Sequence, residues 1–174
     1  MTHSNGRPPV SVRPRTAHDL DACVRALAAV HARDGYPVNW PERPAAWLDE
    51  PSLLGAWVAE LDGRVVGHAA LARPAPGDAA PALWRARAGD EGTVVVGRLF
   101  VDPAARGHGI GALLLTKATD EARARGLRPV LDVVAKDVAA VALYERLGWE
   151  YLDTVEQPWG PDGGSVSVRC YVTP

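Results

Sequence analysis

The stretch Val101-Asp-Pro-Ala-Ala-Arg-Gly-His-Gly-Ile-Gly111, which continues as Ala112-Leu-Leu-Leu115, decides the fold. It follows an apolar run, Val94 to Val101, that predicts a strand, and it leads into an apolar run at helical spacing. Three glycines on alternate positions let the backbone bend tightly and let a ligand approach its N–H groups. Because a helix N-terminus presents unpaired donors and a partial positive charge, the stretch predicts an anion site, most often for phosphate.

The glycine spacing alone leaves several interpretations open. A P-loop requires a lysine and a hydroxyl residue after its last glycine, but Gly111 is followed by Ala112 and Leu113. A Rossmann turn requires Gly-x-Gly-x-x-Gly directly after the strand, whereas Asp-Pro-Ala-Ala-Arg intervenes here. A helix start with surplus glycine is the structural alternative.

A family resemblance separates these interpretations. The segment Arg106-Gly-His-Gly-Ile-Gly111 resembles the Arg/Gln-x-x-Gly-x-Gly/Ala signature of the GCN5-related N-acetyltransferase (GNAT) family. Leu99-Phe-Val-Asp-Pro103 is similar to the strand end that precedes this loop in the family. The segment Ala139-Ala-Val-Ala-Leu-Tyr-Glu-Arg-Leu-Gly-Trp149 resembles the second family signature. The two segments follow each other in the order that the family has, with a predicted strand between them. The resemblance extends over Arg64 to Tyr151, about half of the chain.

The resemblance implies acetyl-coenzyme A as the cofactor. Its pyrophosphate would rest on the glycine loop and the helix start, formed by Arg106, Gly107, His108, Gly109, Ile110, Gly111 and Ala112. Its pantetheine arm would pair with the backbone of Phe100 and Val101, in the manner of an added strand. Asp137 occupies a position where the family often has asparagine, so a contact to the arm differs, although aspartate also caps a helix well.

Tyr144 matches the family's tyrosine near the thioester sulfur. A phenol with a pKa near 10 can donate a proton to the departing thiolate. Two alternatives stay open at this point. The tyrosine could be an aromatic of the core rim, or a hydrogen-bond donor to the sulfur that is not the acid.

The general base is the weak point of the resemblance. Many family members carry a glutamate on the strand before the glycine loop, and Val95 stands at that position. The candidates to replace it are Glu91 or Asp90, just before the strand, and His68 on the preceding strand. His68 lies in an apolar run and is either a packed histidine or a base. No base is required if the amine arrives neutral.

The acceptor side is expected at the loop from Asp34 to Trp40. Tyr36 and Trp40 suit a pocket wall, or they cover the edge of the core. The pattern favours a small-molecule amine or amino-acid-like acceptor. Two other hypotheses remain: acetylation of a protein lysine or N-terminus, and a non-catalytic acyl-CoA-binding or sensor module.

Composition sets the remaining limits. The chain has 174 residues, 47% of them apolar, and a net charge of −2, which predicts one domain and disfavours a general nucleic-acid binder. No run approaches a membrane span, and no metal site is predicted. Two distant cysteines indicate reduced thiols and a cytoplasmic location, and the Arg, Ala and Pro usage indicates a bacterial genome. By analogy with the family, a homodimer is expected.

The pattern along the chain predicts a disordered lead at 1–9 and a single domain over 10–174. Its fold class is mixed α/β, with a central mixed sheet of about six or seven strands flanked by about four helices, as in the GNAT fold. Asp62-Gly63 predicts a hairpin turn, and the Pro- and Gly-rich segment from Pro74 to Gly92 predicts a loop or poorly ordered insert. A helix over Gly109 to Arg125 should turn its apolar stripe inward, formed by Ile110, Leu113, Leu114, Ala118 and Ala122.

Overall fold

The computed structural model describes residues 9–89, 92–158 and 163–174. Within these residues lie seven strands: β1 (Val10–Pro14), β2 (Leu53–Leu61), β3 (Arg64–Ala72), β4 (Thr93–Val101), β5 (Arg128–Val134), β6 (Glu150–Gln157) and β7 (Val166–Val172). Five helices accompany them: α1 (Leu20–Asp34), α2 (Pro44–Leu48), α3 (Ala79–Ala88), α4 (Ile110–Ala124) and α5 (Val138–Arg146). The predicted lead at 1–9 lies almost wholly outside the described residues, and it stays a prediction together with the single domain over 10–174. None of the helices described is long and apolar enough to cross a bilayer.

The strands form one mixed sheet in the order β1-β2-β3-β4-β5-β7-β6. Every neighbouring pair is antiparallel except β4 and β5, which run parallel. Their pairing is short: Thr93 to Val95 lie opposite Arg128 to Val130, and no rung follows. The two strands separate beyond Val95 and Val130, and this opening is called the splay. The mixed α/β class predicted from the sequence is confirmed.

Local signals explain several elements. Thr16 and Asp19 form the capping box ahead of α1. The hairpin between β2 and β3 turns at Asp62 and Gly63, whose φ angles of 53° and 73° are those of a type I′ turn. Cys23 is fully buried on the apolar face of α1, as its spacing predicts.

The two faces of the sheet are covered differently. Helix α4 packs on one face through a stripe of buried residues, namely Ile110, Leu114, Leu115, Ala118 and Ala122. The prediction that Leu113 belongs to this stripe is wrong: its side chain is 46% exposed and Leu115 is buried instead. At 100° per residue, Leu115 falls about 20° from Ala122 on the edge of the stripe, whereas Leu113 falls about 120° from the centre of the stripe. The other face is shared by the α1–α2 pair and by α3, which pack in separate clusters.

Helix α3 contradicts the prediction of a loop over Pro74 to Gly92. Asp78 holds the N-cap position, and Gly89 ends the helix in the left-handed conformation with its N–H bonded to Arg85 O at 2.8 Å. Pro81 falls in the first turn, where a helix needs no backbone donor. Because Ala80 and Pro81 are buried, packing against the sheet supplies what the Pro- and Gly-rich sequence does not.

Candidate active site

The glycine loop between β4 and α4 forms an open cradle of backbone donors. Gly107 and Gly109 have φ angles of 88° and 70°, in the left-handed region that favours glycine. A Cβ atom at either position would meet no heavy atom within 4 Å, so the space above the backbone is free. The first bond of α4 runs from Leu113 N to Gly109 O at 3.2 Å, so the three preceding N–H groups have no acceptor within the helix. This geometry fits a phosphate group.

The side chains of the loop support it rather than fill it. Arg106 forms an ion pair with Asp34 at the end of α1, and its N–H is directed to Pro103 O at 3.4 Å. His108 Nδ1 lies 3.0 Å from Ala105 O, so the imidazole folds back on the preceding turn. Of the predicted cofactor residues, Ile110, Gly111 and Ala112 therefore contribute the open helix-start donors.

The splay exposes a strand edge beside this cradle. Asp102 N donates to Val66 O at 2.7 Å, on the β3 side of β4. Because amide directions alternate along a strand, Val101 turns its amide to the splay and Phe100 turns its amide to β3. Phe100 was predicted to pair with the cofactor arm, but it lies opposite His68 and stacks on that ring.

A β-bulge bends β4 at Arg98, close to the splay. Arg98 has a φ angle of 51°, and the register against β3 shifts beside it. The Arg98 guanidinium lies 3.7 Å above the ring centre of Trp47 on α2, a cation–π contact. No motif in the sequence indicates either residue, because only tertiary packing brings them together.

His68 is fully buried and its two ring nitrogens are both occupied. Nδ1 lies 2.8 Å from Arg98 O and Nε2 lies 2.9 Å from Arg15 Nη1, which fits a neutral ring that donates at Nδ1 and accepts at Nε2. Burial lowers the pKa of His68 to about 4. This geometry favours the packed histidine and leaves no nitrogen for an amine's proton. Glu91, the other candidate, lies outside the described residues.

Tyr144 on α5 is buried, and its ring packs against Trp149 and Tyr171 at centroid distances of 6.1 and 6.0 Å. Burial raises the pKa of its phenol, and Tyr36, Asp137 and Asp132 raise it further, so the hydroxyl stays protonated at neutral pH.

Tyr36 and Trp40, the two residues predicted to line the acceptor side, lie in different environments in the structure. Tyr36 packs edge-on against Trp47 and lies within electrostatic range of Tyr144, Asp132 and Arg98; burial raises its pKa to about 12. Trp40 is 40% exposed and lies against the His31 ring at 5.2 Å instead.

Asp132 is the titratable group that the sequence analysis missed. It lies on β5 two residues beyond Val130, the last rung before the splay, and so on the same face as Val130. Burial raises the pKa of Asp132 to about 6, Asp78 adds to the rise and Arg98 opposes it. Its carboxylate has no hydrogen bond or ion pair to any residue that the structure describes. A carboxylate at an inward position of an otherwise apolar strand was the available signal. Asp137, by contrast, caps α5 by accepting from Ala140 N at 3.1 Å.

A pocket of about 160 Å³ lies over β2, β3 and β4, between the segment that follows α2 and the start of α3. Its lining includes small or apolar residues of the strands, Leu53, Ala70, Ala72, Val95 and Gly97. Its charged lining is Glu50, Arg73, Asp78 and Arg98. A Cβ atom at Gly97 would meet nothing within 4 Å, so the floor is open. The pocket is called the acceptor pocket below.

The fold and the site together define a class of protein. A cradle for a phosphate-bearing cofactor lies at one end of a splayed strand pair, and a small pocket with polar groups opens beside it, as in a group-transfer enzyme. Residues 22–149 match the model of the acetyltransferase (GNAT) family, and the chain belongs to this family. The predicted family and its enzyme class are confirmed.

Individual relatives are similar over most of the chain. The N-acetyltransferase MJ1207 of Methanocaldococcus jannaschii is 31% identical over 84% of the chain and 63% of its own length. A mycothiol acetyltransferase of Rhodococcus jostii is 33% identical over 80% of the chain, which spans only 45% of that protein. The N-acetyltransferase YjgM of Escherichia coli is 33% identical, over 82% of the chain and 83% of that protein.

Solved structures show the same fold. The yncA protein of Salmonella typhimurium, solved with acetyl-CoA, has a TM-score of 0.70 at 21% identity, covering 94% of this chain and 92% of that one. The ribosomal-protein-S18-alanine N-acetyltransferase of Escherichia coli has a TM-score of 0.70 at 21% identity, covering 95% and 94%.

Proposed function

We propose that the chain is an acetyl-CoA-dependent N-acetyltransferase that moves the acetyl group by direct attack to a primary amine of a small, amino-acid-like molecule. The observation that carries the proposal is that β4, which separates from β5 at the splay, serves both sites: the glycine cradle follows its end, and its residues Val95 and Gly97 line the acceptor pocket. The similarity to a fold solved with acetyl-CoA supports the choice of cofactor.

The cofactor would be held mainly by backbone groups. The N–H groups of Ile110, Gly111 and Ala112 bind the pyrophosphate, with Gly107 and Gly109 leaving room for it. The edge of β4 at Val101 pairs with the pantetheine arm. When bound, acetyl-CoA supplies an activated acetyl thioester.

Two side chains at the splay would handle the protons. An amine is charged at neutral pH and must lose a proton before it attacks. The Asp132 carboxylate, whose pKa lies at about 6, accepts this proton in the place of the carboxylate that Val95 does not provide. Tyr144 Oη, which burial keeps protonated, would donate a proton to the leaving sulfur and would regain one from the second proton that the attacking nitrogen loses as the amide forms. Glu91 stays a prediction for the base.

The alternative functions find less support. A pocket of about 160 Å³ suits a small molecule better than a protein chain. Val95 would suit a non-catalytic acyl-CoA-binding module, but such a module has no use for an unpartnered Asp132 within electrostatic range of Tyr144. A homodimer, a cytoplasmic location and a bacterial source stay predictions.

Calorimetric titration with acetyl-CoA, with NAD as control, tests the proposal. We expect micromolar binding of acetyl-CoA alone and release of free thiol when an amine is added. The Gly109→Glu variant should lose at least about a hundredfold in affinity, because it places bulk and negative charge where the phosphates lie. Gly63→Glu is the matched control, since Gly63 has a similar φ of 73° and equally open surroundings in the hairpin turn.

The possible results of these experiments distinguish a failure of cofactor binding from a failure of catalysis. Equal affinity in the two glycine variants would remove the glycine loop from cofactor binding. Tight binding of acetyl-CoA without thiol release for any amine would favour the non-catalytic module.

A further inference from the structure

We propose that the acceptor pocket selects an amine that also carries a carboxylate, that is, a free amino acid or a close analogue, and that Arg73 and Arg98 bind this carboxylate. The inference rests on the proposed function and names its substrate class. It is carried by two guanidinium groups that line the same small pocket and keep unused donors.

Arg73 is fixed at the pocket by both of its ends. It follows the last residue of β3, and its backbone N–H donates to Ser52 O at 2.9 Å. Its Nη2 donates to Pro51 O at 3.2 Å, in the same turn. It pairs with no carboxylate among the residues described, although a guanidinium has five N–H donors. The charge is therefore held in place without a counter-ion.

Arg98 is held from its flat face rather than its edge. Its guanidinium stacks on Trp47 at 3.7 Å, and Nε reaches Trp47 O at 3.4 Å. Its Nη2 is 3.7 Å from Glu50 Oε2, an ion pair longer than a hydrogen bond. The outer edge of the fork thus keeps donors for a planar anion, and a carboxylate matches that geometry.

Acidic groups supply the opposite charge. Asp78 lines the pocket and accepts from Ala75 N through Oδ2 at 2.7 Å, which leaves Oδ1 open. Asp132 is unpartnered within the described residues and lies within electrostatic range of both Asp78 and Arg98. An ammonium group on this side and a carboxylate at the two arginines make the acceptor a zwitterion.

The competing acceptors fit less well. A simple alkylamine or a polyamine carries no anion for the free donors of the exposed Arg73 and the partly buried Arg98, so it gains nothing from either guanidinium group. The size of the pocket and its floor of alanine and glycine limit the acceptor to a compact molecule. These points favour a free amino acid over a peptide.

The test compares amines with and without a carboxylate. The twenty standard L-amino acids, their primary amides and their decarboxylated amines are offered at one concentration with saturating acetyl-CoA, and thiol release is followed. We expect at least one amino acid to be acetylated, with kcat/KM about tenfold or more above that of its own amide and amine. Arg73→Gln should raise KM for that amino acid by about ten- to a hundredfold with little change in kcat, and should leave KM for the amide unchanged.

Arg64→Gln is the matched control, because Arg64 is an exposed arginine at the other end of β3. Equal KM effects of the two variants would overturn the inference, as would a panel in which no amino acid exceeds its amide or amine. Affinity for acetyl-CoA, measured on each variant, separates the two proposals. If the wild type does not bind acetyl-CoA, the proposed function fails. If the wild type binds acetyl-CoA but amines without a carboxylate react best, only the proposed substrate class fails.

Discussion

Two aspartates in different parts of the fold have opposite environments. Asp19, ahead of α1, is buried, accepts both Nη groups of Arg13 at 2.8 Å, and closes the capping box with Thr16 N at 2.7 Å. Asp132, at the splay, has no such partner among the described residues. The Arg13 guanidinium holds the pKa of Asp19 well below its usual range, whereas burial raises the pKa of Asp132 to about 6.

The difference separates a carboxylate that stabilises the fold from one that the fold tolerates. A group whose charged form is favoured in the folded state adds stability at neutral pH, and a group whose charged form is disfavoured subtracts from it. Unpaired, desolvated carboxylates are uncommon in proteins, and they concentrate at functional sites. The contrast therefore predicts opposite results when each charge is removed.

The largest expected effect is on catalysis at Asp132. Asp132→Asn keeps the shape and removes the proton acceptor, so kcat should fall by about a thousandfold, or about 4 kcal/mol of activation free energy. Affinity for acetyl-CoA should stay within about twofold. The wild type should lose activity as the pH falls through about 6, where the carboxylate becomes protonated, and the variant should lack this limb.

The groups facing Asp132 set the position of that limb. These groups are Arg98 on β4 and Asp78 at the start of α3, together with Tyr144 on α5, Cys170 on β7 and Tyr36 in the loop after α1. Asp120→Asn, at an exposed position on α4, is the control. Turnover in Asp132→Asn equal to that of the control would return the base to Glu91 or to an amine that arrives neutral.

The next effect is on the acid. Tyr144→Phe should lower kcat by about a hundredfold, or about 3 kcal/mol, with acetyl-CoA affinity nearly unchanged. The control is Tyr151→Phe, whose hydroxyl lies 2.7 Å from Thr154 Oγ1 on β6. Steady-state kinetics with calorimetry on both variants checks this. Undiminished turnover in Tyr144→Phe would leave the tyrosine as a packing residue.

Some parts of the molecule can be predicted from a local sequence motif, and others cannot. The glycine loop is contiguous and would act through its backbone, so a local motif was enough to predict Gly107 to Gly111 as a cofactor site. The hairpin at Asp62-Gly63 could be predicted for the same reason, because its turn is formed by adjacent residues. Asp132, Arg98 and Trp47 escaped because their roles depend on which strands separate and which helix covers them.

Tertiary packing also explains the misjudged elements. Helix α3 forms because Ala80 packs on the sheet, a contact that no local pattern in a Pro- and Gly-rich segment indicates. For His68 the sequence left a packed histidine and a base both open, and its full burial between Arg15 Nη1 and Arg98 O favours the packed histidine.

The contribution of the Asp19 carboxylate to the stability of the fold can be tested by removing its charge. Asp19→Asn should lower the free energy of unfolding at pH 7 by about 2 kcal/mol, since it removes the charge that Arg13 pairs with; the partial exposure of Arg13 (38%) limits the loss. Because the folded pKa is depressed, this contribution is fully present above the unfolded pKa of about 4, begins to fall as the pH drops below that value, and is lost completely only below the folded pKa. Urea unfolding at pH 7 and pH 3 measures both values. A difference that stays constant with pH would rule out the ion pair as its source.

The smallest effect has the opposite sign and is the sharpest test. Asp132→Asn should raise the free energy of unfolding at pH 7 by roughly 1–2 kcal/mol, since the wild-type carboxylate is charged there at a cost. A folded pKa of about 6 against an unfolded value of about 4 means that the folded state binds the extra proton between these pH values. Wild-type stability therefore declines as the pH rises through this window, and the advantage of the variant should be complete above pH 6 and vanish below pH 4. Urea unfolding across that range measures it. A variant that is both inactive and more stable identifies Asp132 as a residue kept for chemistry, whereas a destabilised variant would place it with Asp19.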